Sequence, residues 1–301
     1  IHPLLRSYLV ADLARQRPAT YVRLQTATAR WWMAEGDPVH ALRHAERTGD
    51  PVLIAALIRA SGVGLFLSGD LGPLRRALAA VGADARTTDP WLALTAAITH
   101  LDARALSVAA VELEDARRAW PETPDVDLEI LRACAELLAT TQGLPTTSFP
   151  PGREGAEHAL PALEALLHAS RGTAEFGNPG GVDVDTARSE LQQALDLARM
   201  HDFAYLEVQC LYILATVAAV QGAAAMAEQA VAAAARRGRH PSGWSAGPAA
   251  LVAYADLLAG RPAAAAAATD EALGTCLQSA EARRFDRVRK LIDITHSTSE
   301  Q

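Results

Sequence analysis

Four residues on one stretch carry the clearest binding chemistry in this chain. Tyr205, Gln209, Tyr212 and Thr216 follow at spacings of four, three and four. That spacing puts them on a single helix face, separate from the apolar stripe of Leu206, Cys210, Ile213, Leu214 and Val217. Aromatic rings beside an amide and a hydroxyl suit a sugar or another polar, flat-faced ligand. The rings stack on C–H faces and the polar groups fix orientation. Moving along by 38 residues reaches Gly243, Gly247, Ala250 and Tyr254, with His240 and Trp244 at the entrance of that segment. The bland alternative is packing: Tyr205, Tyr212 and Tyr254 wedged between neighbouring helices with their hydroxyls at the surface.

Catalytic and metal patterns are weak. His40 and His44 lie four apart, the helical spacing of a metal pair, yet no third ligand is spaced to join them and no HExxH motif is present. A packing and surface role is expected for both. Ser242-Gly243 has no nucleophile pattern around it, and Asp183 and Asp185 read as a loop carboxylate and a helix cap. Cys134, Cys210 and Cys276 fall inside helical patterns, as buried free thiols of a reducing compartment would. Neither enzyme activity nor a cofactor or metal is expected.

The elements that hold these residues are helices. Half of the 301 residues are hydrophobic, only 5% are aromatic, and much of the apolar content is Ala, the strongest helix former and the smallest to pack. No run alternates like a strand. Gly222 and Gly260 end two similar segments 38 residues apart, each followed by an Ala-rich partner. That period lies near the ~34-residue tetratricopeptide unit. The expected fold is therefore all-α, a tetratricopeptide-like superhelix of helical hairpins (an α-solenoid). In such stacks the first helix of each hairpin lines the concave side, so the Tyr205 stripe is expected to face a groove.

Taken in order, a helix over 1–17 carries Leu4, Leu5, Tyr8, Leu9 and Leu13 and stops at Pro18. Thr20 is expected to cap the next. The doubled Gly-Asp-Pro at Gly36-Asp37-Pro38 and Gly49-Asp50-Pro51 marks two turns, each opening a helix. Two short helices are expected between Gly62 and Val81, then helices led by Asp89-Pro90, by Arg104 and by Asp127. Residues 143–155 and 171–185 read as surface loops, with a ligand lid the sharper option for either. A helix after the second loop is expected to start at an Asp185 cap. The last helix, Ala280 to His296, is basic along one side and reads as a solvated face or a docking surface.

The formal net charge of −7 argues against direct nucleic-acid contact. No uncharged apolar run of about 18 residues stands outside the Ala-rich repeats, so no membrane span is expected. The first residues, IHPLLRSYL, carry no Met and no signal peptide, the pattern of an internal segment.

HPLLRSYL followed by RLQTATARWWMAEGDPVHALRHAERTGDPVLIAALI resembles the MalT-like LuxR-family regulators of the STAND class. The likeness is specific over about sixty residues and loose beyond. It implies that His2, Pro3 and Leu4 belong to the tail of a winged-helix part, and that Trp31, Gly36, Ala41, His44 and Asp50 pack and cap the hairpins after it. It implies residues 1–60 as a helical adaptor following a nucleotidase module, and 61–301 as the superhelical sensor. No GxxxxGK[ST] loop and no C-terminal helix-turn-helix of the LuxR type occur here, so neither ATP hydrolysis nor operator binding carries over. The resemblance further implies a cytoplasmic protein that senses a small-molecule inducer, a sugar among the candidates. It would contact other regions or copies of the same regulator. A scaffold that takes a protein or peptide partner instead is the rival expectation.

Overall fold

A computed structural model describes residues 2–145, 160–176 and 183–217, and further along 225–226, 229, 232–233, 252–253, 256–257 and 259–276. The chain is all-α, as its composition predicts. Among the described residues the helices are α1 (Pro3–Gln16), α2 (Pro18–Ala34), α3 (Pro38–Glu46), α4 (Pro51–Ser68), α5 (Leu71–Val81), α6 (Ala83–Thr88), α7 (Pro90–Asp102), α8 (Leu106–Arg118), α9 (Val126–Thr141), α10 (Pro161–Phe176), α11 (Val184–Met200), α12 (Ala204–Val217) and α13 (Pro262–Cys276). This is the make-up of a helical-hairpin repeat fold.

The contacts divide the chain into two compact units. One comprises Ile1–Phe66, Asp70–Thr99 and Ser107–Thr123, the other Leu67–Gly69, His100–Leu106 and Pro124–Gln301. In the first, α2 packs on α1 and α3, and α3 on α5. Ala41, Leu42, Ile54, Ile58, Leu74, Leu92 and Leu94 fill its core. In the second, α10 lies against α9, α11 and α12. Leu131, Leu163 and Leu191 are fully buried there.

Both Gly-Asp-Pro turns form. Gly36 and Gly49 take left-handed φ of 77° and 67°, where a side chain is disfavoured. Asp37 then accepts from the His40 amide at 2.9 Å, and Asp50 from the Val52 amide at 2.9 Å, each capping the helix that its proline begins. The repeat's second turn is also formed: the Arg261 amide donates to the Asp256 carbonyl at 2.9 Å, Gly260 has φ 73°, and Pro262 opens α13.

Several expectations need correcting. Thr20 does not cap α2. Pro18 occupies its first turn and Arg17 the cap position, so the proline that ends α1 also starts the next helix. Of the two short helices expected between Gly62 and Val81, the second is α5 and the break at Ser68-Gly69-Asp70 forms, but the first is only the end of α4, which runs to Ser68 through Gly62. A Cβ there would sit 3.1 Å from Ile58 Cγ2, 3.4 Å from Thr95 Cγ2 and 3.6 Å from Leu74 Cδ1, so this glycine is a packing contact. Residues 171–176 are not loop but the last turns of α10. At Gly172 a Cβ would meet Leu191 Cγ at 2.7 Å and the Ala187 carbonyl oxygen at 3.0 Å. The glycine lets α10 and α11 cross closely. The cap of α11 is Asp183, which accepts from the Thr186 amide at 3.1 Å and its hydroxyl at 2.7 Å, and Asp185 lies inside the first turn. One helix, α4, is long and apolar enough, by length and composition, to cross a membrane, but it carries Arg59 and is not the uncharged run that the sequence lacks. Arg59 pairs with Asp89 at 2.5 Å, while Ile54, Ile58, Leu65 and Leu67 are buried.

Candidate functional site

Helix α12 carries the residues singled out for binding. It follows α11 through a tight turn in which Asp202 has a left-handed φ of 56° and the Phe203 amide donates to the Ala198 carbonyl at 2.8 Å. Asp is one of the few side chains that tolerates that conformation. Ala204, Leu206, Val208, Cys210, Leu211 and Leu214 are buried, and α12 packs on α11 and α10.

Tyr205 is only 8% exposed, and its hydroxyl donates to Asp102 Oδ1 at the C-terminal end of α7. Gln209 and Tyr212, further along the same face, are half-buried. The structure thus brings Tyr205, Gln209 and Tyr212 together along one helix, and Thr216 follows on the same helix. His240, Trp244 and Tyr254 lie outside the described residues, as do the 38-residue counterparts of the stripe.

An open cleft of about 460 Å³ is lined by Ala198, Arg199, Asp202 and Glu207, and Glu207 lies two residues beyond Tyr205 and so on the other side of α12. Arg199 Nε donates to Glu207 Oε1 at 3.1 Å, tying α11 to α12. One guanidinium and two carboxylates make a polar wall, of a kind that can exchange hydrogen bonds with a hydroxyl- or amine-bearing ligand, with Arg199 and Glu207 already paired to each other. Behind it, burial pushes the Cys210 thiol up to about 12, and the negative charge of Glu207 adds to the effect. A neutral, enclosed thiol contributes packing rather than chemistry. Cys134 is likewise buried and pushed up to about 12 by desolvation, which outweighs its contact with Ser170 and the positive charge of Arg171.

The histidine pair separates. The His40 ring donates from Nδ1 to Asp37 at 2.7 Å and stacks on Trp32 with ring centres 4.7 Å apart. His44 donates from Nδ1 to the Gln25 side-chain Oε1 at 2.6 Å, bridging α3 to α2. Among the described residues no group of three or more His, Cys, Asp or Glu is placed to hold a metal ion.

Asp102, Arg199, Asp202 and Glu207 were not singled out in the sequence. Asp202 carried a faint signal, since His201-Asp202 interrupts an apolar pattern between two helices. Asp102 carried none, because its partner Tyr205 is 103 residues away.

The HTH-type transcriptional regulator MalT of Yersinia pestis (strain Pestoides F) and that of Yersinia pseudotuberculosis (serotype O:3, strain YPIII) are each 27% identical to this chain over 205 residues. The similarity covers 67% of the chain but 23% of each relative, so the chain spans about a quarter of the length of the curated proteins it matches. No protein-family model matches it, and no solved structure does. The likeness on record is to a transcriptional regulator, carried by a chain that is all-α.

Proposed function

We propose that this chain is the sensing and interaction part of a MalT-like, ATP-dependent transcriptional activator of the LuxR family and STAND class. The observation that carries the reading is the similarity to MalT over 205 residues. In this reading residues 1–60 are the adaptor, 61–301 the tetratricopeptide-like sensor, and the parent protein is cytoplasmic. Neither a cofactor nor catalysis is assigned to the chain. Its net charge of −7 supports regulation without direct DNA contact. The inducer binds along Tyr205, Gln209, Tyr212 and Thr216, with His240, Trp244 and Tyr254 from the following repeat. Binding relieves autoinhibition and favours self-association by the difference in its affinity for the two states.

A thermal-shift screen of sugars and metabolites tests this. A true ligand at 100 times its Kd adds about 2.7 kcal/mol of stability. Tyr212→Ala is expected to abolish that shift. A shift that survives the substitution overturns the stripe as the site, and no shift with any sugar removes the carbohydrate assignment.

One observation favours the rival reading of a scaffold for a protein or peptide partner. On α1, Leu4 is 75% and Tyr8 67% exposed, with Leu5 and Leu9 beside them, and on α2 Leu24 and Trp31 are about half exposed. Contiguous apolar exposure of this kind marks protein contacts. Analytical ultracentrifugation of the chain alone, with Leu9→Asp as control, separates the readings. Self-association without any added ligand that Leu9→Asp removes supports the scaffold, and association that appears only when a sugar is added supports the sensor.

A further inference from the structure

We draw no further inference here: the strongest candidate, the exposed apolar face of α1 formed by Leu4, Leu5, Tyr8 and Leu9, already stands behind the interaction reading above, and nothing in the structure shows what covers it.

Discussion

The phenolic hydroxyl of Tyr205, at the start of α12, donates to the carboxylate of Asp102, the last residue of α7, across 103 residues of sequence. A hydrogen bond to a charged acceptor in a buried setting contributes about 1.5–3 kcal/mol. Tyr205→Phe keeps the ring and removes the donor. It is expected to lower the unfolding free energy by that amount, read as a urea midpoint lowered by that energy divided by an unchanged slope. An unmoved midpoint would show that the hydroxyl does not hold these two elements.

Gly172 and Gly62 make opposite predictions for the same substitution. At Gly172 the added methyl meets backbone as well as Leu191, with its nearest neighbour at 2.7 Å, and backbone does not yield. Gly172→Ala is expected to cost about 1–3 kcal/mol of overpacking despite its better helix propensity. At Gly62 the three nearest atoms are side-chain methyls at 3.1 to 3.6 Å. There the propensity gain of roughly 1 kcal/mol offsets the crowding, and Gly62→Ala is expected to be near neutral. Thermal unfolding of the two variants checks the contrast.

Arg86 joins three pieces of the first unit. Its guanidinium reaches Glu112 at 3.1 Å, the Leu78 carbonyl at 2.9 Å and the Gly82 carbonyl at 3.3 Å. Glu112 is only 5% exposed. Arg86→Ala leaves that carboxylate without its cation, and losses of about 3–5 kcal/mol are usual when one partner of a buried pair is removed. The double variant Arg86→Ala with Glu112→Leu is expected to recover part of the loss in the same melting assay, because the stranded charge is gone.

The two buried thiols set a reactivity and a pH prediction. Cys134 and Cys210 are both held near 12, against 9.0 for an ordinary thiol. Neither is expected to react with iodoacetamide at pH 8 in the native protein, and both are expected to react in urea, as peptide mapping would show. Their raised values also mean that the folded chain retains protons that the unfolded chain has released. Their contribution to stability is therefore present below pH 9 and declines as the pH rises from about 9 to about 12. The melting temperature of Cys134→Ala relative to the parent is therefore expected to rise over that range, and a difference that stays constant or falls would contradict this.

Much of the helix pattern was legible because its signals are local. Asp37-Pro38 and Asp50-Pro51 each combine a capping carboxylate with a first-turn proline, and both work as they read. What failed was the sign of a glycine. Gly62 and Gly172 look like breaks in sequence, yet each sits in a helix against another element, and the partner atoms come from residues that no local window contains. Asp183 and Asp185 are equally good caps by type, and only the geometry of the turn selects the first. The stripe had the same limit. Spacing aligned Tyr205, Gln209 and Tyr212 on one face. It held no information that Tyr205 would be enclosed and bonded to Asp102, because α7 enters from a distant part of the chain.

The glycine in α10 also fixes angular phase. Each residue advances a helix by about 100°. One residue inserted ahead of Gly172 swings the notch away from Leu191 and brings a side chain to a place where even a Cβ would lie 2.7 Å from Leu191 Cγ. Point changes on the outward side of α10 leave that alignment untouched, whereas a single-residue change in its length does not. The helix is therefore far less forgiving of insertion or deletion than of substitution, and its residue count is a conformational constraint in its own right.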